Sequence, residues 1–119
     1  MSYESKDLPP FVRGDDWTIK LNIKDSNKQA VDITGYTYYM TLKSDIDSAD
    51  PGDLQTTASS VGADATSGTL YINFTNTQTN TLESKTYNYD IQQRDDTGTI
   101  QTLFIGKVKV VKDVTRTIA

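Results

Sequence analysis

The sequence predicts an all-β protein, an antiparallel β-sandwich of about seven strands. Apolar and polar residues alternate in several short segments, and a period of two places one face of a strand against a core and the other in water. Turn sequences recur at intervals of roughly 8–12 residues, the strand spacing typical of sandwiches. A chain of 119 residues is long enough for one such domain with its own core.

The first ten residues are predicted to lie outside the sandwich. They are mostly polar, and Pro9 and Pro10 at their end favour an extended backbone, so we expect residues 1–10 to form a flexible N-terminal arm. The sandwich domain is predicted over 11–116, and 117–119 form a C-terminal tail. After a start at Phe11-Val12, the predicted strands are 16–24, 36–43, 54–61, 69–75, 85–93 and 99–112.

Each of the clearer strands is identified by one apolar face. The segments between them carry the Gly, Asp, Asn and Ser residues that turns prefer. Residues 76–82, which are rich in threonine, predict a crossover with at most one helical turn. The predicted core faces are Trp17, Ile19, Leu21 and Ile23; Tyr36, Tyr38, Met40 and Leu42; Leu70, Ile72 and Phe74; and Tyr87, Tyr89 and Ile91.

The last predicted strand breaks this alternation. Leu103 and Ile105 fall on the face opposite to Phe104 and Val108. Gly106 indicates a bulge that changes which side of the strand faces the core. The alternative is that Leu103 and Ile105 point outward and belong to a subunit contact.

The composition argues against an enzyme. The chain has no histidine and no cysteine, which removes the Ser-His-Asp and Cys-His nucleophile systems, the usual zinc sites and disulfides. Asp15-Asp16 and Asp95-Asp96 are paired carboxylates, but both lie in turn sequences without the apolar pocket that a glycosidase acid needs. We therefore expect no catalytic residue, no cofactor and no metal.

The charges are unevenly distributed along the chain. Residues 44–84 contain six acidic residues and no basic one, a formal charge of −6, and the whole chain carries −4, which leaves +2 for the rest. Such polarity suits head-to-tail stacking of subunits, or it reflects ordinary solvated loops. The acidic loop 45–53 offers oxygen ligands for Ca²⁺ without the spacing of an EF-hand, and a solvated loop is the alternative.

Two partner classes are disfavoured. Binding to nucleic acid needs clustered Lys and Arg, which an acidic chain does not supply. No apolar stretch approaches the roughly 20 residues that cross a bilayer, so we expect no membrane insertion.

Three short motifs bear on surfaces and fold. Arg13-Gly14-Asp15 matches the integrin-binding tripeptide, although a turn before a strand requires Gly and Asp in any case. Alternation turns Tyr39 away from Tyr38, which makes Tyr39 a candidate for surface contact. Leu82 followed by Tyr87 is typical of a tyrosine corner, in which a tyrosine hydroxyl at the start of a late strand caps the preceding crossover.

Taken together, the motifs of the chain resemble small Ig-like structural proteins of tailed bacteriophages, and in particular the N-terminal domains of upper baseplate proteins. The resemblance covers most of the chain and predicts an Ig-like antiparallel β-sandwich. The motifs that carry it are Arg13-Gly14-Asp15, Val31-Asp32-Ile33-Thr34-Gly35, Leu82 ahead of Tyr87-x-Tyr89-Asp90-Ile91, Thr99 to Thr102, Gly106-x-Val108-x-Val110 and the ending Asp113-Val114-Thr115-Arg116.

The resemblance implies a virion structural protein, assembled in the bacterial host cytoplasm as a subunit of the tail, baseplate or neck. Its partners would be other virion proteins and copies of itself, and the arm would order on the sheet edge of a neighbour. A capsid decoration protein and a module that binds carbohydrate or a receptor on the host surface are the alternatives. The expected interface residues are Tyr39, Leu103, Ile105, Pro9 and Pro10.

Overall fold

The structure, a computed structural model, describes residues 4–45 and 54–112. The acidic loop from residue 46 onward, the motif at 113–116 and the tail 117–119 lie outside these ranges. Within the described ranges the elements are β1 (Glu4–Ser5), β2 (Phe11–Val12), β3 (Trp17–Asn22), β4 (Thr37–Lys43), β5 (Leu54–Ala58), α1 (Gly62–Thr66), β6 (Thr69–Phe74), α2 (Asn76–Thr79), β7 (Thr86–Arg94) and β8 (Ile100–Val111).

The strands form two sheets packed face to face. The larger one, the main sheet, has the order β1-β8-β7-β4-β5, with β2 also paired to β8. The smaller sheet is the antiparallel pair β3–β6. The prediction of an all-β, Ig-like sandwich is confirmed, and the long strands of the main sheet are antiparallel as expected. One edge differs, because β1 and β2 run parallel to β8.

The core lies between the two sheets and is built by alternation. On β4, Tyr38, Met40 and Leu42 are fully buried, while β6 contributes Ile72 and Phe74 from the opposite sheet. Complete burial of an apolar side chain of this size stabilises the fold by about 1.5–3 kcal/mol relative to exposure, so the alternating face accounts for much of the stability.

A stack of three aromatic rings connects the sheets near the N-terminus. The rings of Phe11 and Trp17 are stacked with centroids 4.0 Å apart, and Trp17 stacks on Phe74 with centroids 5.3 Å apart. Phe11 belongs to the edge of the main sheet, whereas Trp17 and Phe74 pair across the smaller one. Trp17 is half-buried, so it closes one end of the core.

The predicted tyrosine corner is present. The hydroxyl oxygen of Tyr87 accepts a hydrogen bond from the Glu83 backbone N–H at 2.8 Å and donates to the Glu83 carbonyl at 3.3 Å. Leu82 is 2% exposed beneath this contact. The crossover before it contains the single helical turn that was predicted, α2, and Thr75 and Gln78 cap its first turn reciprocally.

The short helix α1 was not predicted, because residues 62–68 read as a turn. Ala65 is its one buried side chain, and Gly68 follows it at φ +72°. A Cβ at Gly68 would lie 2.6 Å from the Ile23 carbonyl oxygen. Glycine is therefore required both by the backbone conformation and by the close approach of the neighbouring chain.

The bulge in β8 lies at Leu103 and not at Gly106. Ile91 pairs with Phe104 and Gln92 pairs with Thr102, which leaves Leu103 as the extra residue. The predicted reversal of faces is therefore real but begins three residues earlier than expected. It turns Phe104 toward the core and separates the two residues that were expected to act together, since Leu103 packs against the core and Ile105 does not.

Candidate interaction site

The outer face of the main sheet, opposite to the core, carries the predicted contact residue Tyr39. Register places Tyr39 between Gln92 on β7 and Thr57 on β5. The next row outward pairs Thr41 with Asp90 on one side and Gln55 on the other. Tyr39 is half-buried, so the predicted orientation of its side chain away from the core is confirmed.

These rows surround a shallow depression of about 620 Å³, here called the Tyr39 depression. Its floor is organised by the Gln55 amide nitrogen, which donates to the Thr41 hydroxyl at 2.9 Å. Cross-strand neighbours have Cβ atoms about 4.5–5.5 Å apart, so side chains from three strands converge on a small area. The lining residues are Tyr39, Thr41, Lys43, Gln55, Asp90, Gln92, Arg94, Gly98 and Ile100.

Sequence reasoning identified Tyr39 in this depression and missed Gln55, Gln92, Arg94 and Ile100. The alternation of β7 places Gln92 and Arg94 on its polar face, which is a detectable signal. Their position beside Tyr39 depends on the neighbour order β7-β4-β5, and periodicity fixes faces but not neighbours.

A second surface lies along β8 at the opposite edge. Val12 and Val111 pair side by side and are each 38% exposed. Pro9 and Pro10, predicted as contact residues, are exposed in the segment between β1 and β2, and Ile105 is half-buried on the same outer side of β8. We call Pro9, Pro10, Val12, Ile105 and Val111 the β8 rim.

Leu103 does not belong to the β8 rim. It is half-buried and packs against the core because the bulge turns it inward. Its predicted role as an outward contact is therefore corrected, whereas Ile105 keeps the expected orientation.

The part of the N-terminal arm that the structure describes is paired within its own chain. The Lys6 N–H donates to the Ile105 carbonyl and the Leu8 N–H donates to the Lys107 carbonyl, both at 2.9 Å. The Lys107 N–H donates in turn to an Asp7 carboxylate oxygen at 3.0 Å. Residues 4–8 thus lie along the β8 edge of their own sheet, and ordering of the arm on a neighbouring subunit stays a prediction.

Gly106 and Tyr89 fix the register of this segment. The buried Tyr89 hydroxyl donates to the Lys6 carbonyl, and a Cβ at Gly106 would overlap that same carbonyl. The backbone of the arm therefore approaches β8 at a place where a larger residue would push it away. The buried Tyr89 hydroxyl also needs a hydrogen-bond partner, and the Lys6 carbonyl provides it in this register.

The turn after β7 explains the carboxylate pair Asp95-Asp96. The Asp95 carboxylate accepts hydrogen bonds from the Thr97 hydroxyl at 2.7 Å and from the Thr99 N–H at 2.9 Å. These bonds, that of the Thr97 hydroxyl above all, lower the pKa of Asp95 from its ordinary value of 3.8. The carboxylate closes a turn, which is a structural use that requires no catalysis.

Burial raises the pKa of two tyrosines, Tyr38 on β4 and Tyr36 just before that strand. The pKa of Tyr38 is raised, chiefly by burial and further by the neighbouring Tyr36. The pKa of Tyr36 is raised by burial first and then by Asp96, Asp95 and Asp32. The Tyr38 hydroxyl donates to the Gln93 side-chain oxygen at 2.7 Å, which satisfies the hydroxyl inside the core.

The tripeptide Arg13-Gly14-Asp15 is tied to the fold. The Gly14 N–H donates to the hydroxyl of Thr79 at 3.1 Å, and that hydroxyl donates to the Asp15 carbonyl at 2.7 Å. Thr79 is fully buried, and the Arg13 guanidinium reaches the Leu82 carbonyl at 3.4 Å. The tripeptide fastens the start of the sandwich to α2, which supports its structural interpretation over the adhesive one.

Within residues 4–45 and 54–112, no group of three or more His, Cys, Asp or Glu side chains converges to hold a metal ion. The acidic loop that was considered for Ca²⁺ lies outside them, except for Asp45. None of the helices in the described part of the chain is long and apolar enough to cross a membrane.

No protein-family model and no curated protein matches the chain. Among solved structures, the chain is similar to a chain in the crystal structure of ICOS in complex with ICOS-L and an anti ICOS-L VNAR domain, at 9% sequence identity and a TM-score of 0.40. The alignment covers 93% of this chain and 56% of the length of that chain.

Proposed function

We propose that this protein is a structural subunit of a bacteriophage virion, placed in the tail, baseplate or neck and acting through protein–protein contacts. The virion assignment is supported by the resemblance of the sequence motifs to those of small Ig-like phage proteins. The mode of action is supported by the sandwich fold and by the exposed residues of the β8 rim. Its localisation is then the virion, and its partners are other virion proteins and further copies of the chain.

The observation that carries the assembly role is the apolar character of the β8 rim. Val12 and Val111 lie side by side at 38% exposure, and Pro9 and Pro10 are exposed next to them. Exposed apolar side chains that lie next to one another support a contact site, because their burial removes apolar surface from water. A short edge strand and two prolines also limit uncontrolled pairing of the edge, which favours a defined partner over aggregation.

Charge gives this contact a direction. Lys107 and Lys109 lie between Ile105 and Val111 on the exposed side of β8. Asp45 and Asp64 are exposed and belong to the acidic stretch 44–84, and Asp64 lies on α1 beside β6 of the smaller sheet. Opposite charges on two surfaces of one subunit guide head-to-tail association and disfavour rim-to-rim pairing.

Labelling of particles tests the assignment. Antibody against the purified protein, detected with gold, should mark intact phage particles at the tail tip or neck. Label distributed over the head would favour capsid decoration, and particles without label would contradict a virion role.

Variants of the β8 rim test the surface. The pair Val12→Ser and Val111→Ser should reduce incorporation into particles while the isolated protein stays folded. Val61→Ser is the matched control, because Val61 is 82% exposed and lies outside the rim. Equal incorporation of both variants would contradict the rim as the contact site.

A further inference from the structure

We propose that the Tyr39 depression is a binding site for a neutral saccharide, with Tyr39 as the stacking platform and Gln92, Gln55 and Arg94 as hydrogen-bonding groups. This activity is separate from assembly through the β8 rim. It uses the outer face of β5, β4 and β7 together with Ile100 at the start of β8, whereas the rim lies further along β8, from Ile105 to Val111.

The position of Tyr39 suits a platform. Its strand is paired on both sides, with β5 and with β7, so the backbone that carries the ring is fixed by hydrogen bonds along its length. A site on rigid strands holds its geometry better than a site on loops. The ring is half-buried among its neighbours and does not pack on the core, which leaves aromatic surface toward solvent.

The polar neighbours are arranged around that ring. Gln92 lies directly across on β7, and Gln55 lies one row further on β5, next to Thr41. Arg94 and the exposed Ile100 complete the other side of the depression. Carboxamides both donate and accept, and a guanidinium donates in a planar fork, which together match the mixed donors and acceptors of adjacent sugar hydroxyls.

The composition of the depression favours a sugar over a protein or an anion. Two of its nine described lining residues, Tyr39 and Ile100, are large and apolar, whereas the centre of a protein interface is typically apolar and depleted of charge. Its charged residues are Lys43, Arg94 and Asp90, which give a formal net charge of only +1. A sugar ring matches this surface, because it presents an apolar C–H face to an aromatic ring and a rim of uncharged hydroxyls to polar groups.

The test is a titration of the full chain, followed by backbone amide NMR, with neutral gluco-, galacto- and manno-oligosaccharides added one at a time. We expect saturable shifts at positions of β4, β5 and β7 around Tyr39. Tyr39→Ala should weaken binding by roughly tenfold or more, because the stacking contact is lost. Tyr39→Phe should retain binding, since it keeps the ring, and Gln92→Ala should weaken it severalfold.

Tyr71→Ala is the matched control. Tyr71 is 43% exposed on β6 of the smaller sheet, so it tests whether any exposed tyrosine produces the same shifts. The proposal is overturned if no sugar shifts these amides, if Tyr39→Ala binds as well as wild type, or if Tyr71→Ala loses binding equally. The experiment uses no phage particle, so its failure is distinguishable from a failure of the labelling that tests the virion role.

Discussion

The two faces of the main sheet obey different constraints although they share the same strands. On the inner face of β4, Tyr38, Met40 and Leu42 are fully buried, and each must fit neighbours from both sheets. On the outer face of the same strand, Tyr39 and Lys43 are half-buried and contact neighbours within one sheet. Packing therefore constrains the residues of the inner face more strongly than those of the outer face, where only Thr41 is buried on β4.

A matched pair of neighbouring residues should show this difference most strongly. Ile91 is 1% exposed on the inner face of β7, and Gln92 is its half-buried successor on the outer face. Ile91→Ala should lower the free energy of unfolding by about 2–5 kcal/mol, because it leaves a cavity in the core. Gln92→Ala should change it by about 0.5 kcal/mol or less. Urea denaturation of both variants measures this, and similar losses would break the distinction between the faces.

The next largest effect is expected where the N-terminal segment meets β8. Gly106→Ala places a Cβ against the Lys6 carbonyl, and backbone there cannot yield without moving residues 4–8. We expect a loss of about 1–3 kcal/mol, the usual cost of overpacking. Hydrogen exchange at Lys6 and Leu8 should accelerate more than at the core of β7. Unchanged protection at these two amides would contradict the described pairing.

This edge also shows where sequence reasoning stops. Strands of six residues or more, and the orientation of Tyr38 against Tyr39, follow from alternation and were predicted. Two-residue strands such as β1 and β2 are too short to show a period. Their pairing depends on contacts between residues about a hundred positions apart, such as Asp7 with Lys107, and on a register set by Gly106. The sequence of the arm alone therefore predicts an irregular segment, because its partners are brought close only by the fold.

For a related reason, the sequence could predict only part of the Tyr39 depression. Tyr39 was found because its face could be deduced from its own strand. Gln55 and Gln92 come from other strands, and their convergence follows from the order β7-β4-β5. A topology with another neighbour for β4 would leave the same alternation and a different surface.

Removal of one tyrosine hydroxyl from each face of the main sheet tests the same difference, with smaller expected losses of stability. Tyr87→Phe removes the bonds to the Glu83 N–H and carbonyl and should lower the free energy of unfolding by about 1–2 kcal/mol. Tyr39→Phe removes a hydroxyl on the outer face and should leave stability within about 0.5 kcal/mol of wild type. Denaturation midpoints at equal slope compare the two, and an equal loss would place Tyr39 among the structural residues.

The last comparison depends on alkaline pH and concerns Tyr38, whose pKa is raised by burial in the folded protein. A raised pKa in the folded state means that the contribution is fully present below the unfolded value of about 10 and declines above it, because the unfolded chain ionises first. The free energy of unfolding of wild type should therefore fall by up to about 1.4 kcal/mol per pH unit more steeply than that of Tyr38→Phe above pH 10. Below that pH the difference between the two proteins should be constant and should reflect the lost bond to Gln93. Parallel curves on the alkaline side would mean that the hydroxyl reaches water, and the inner face would then be less closed at Tyr38 than its packing indicates.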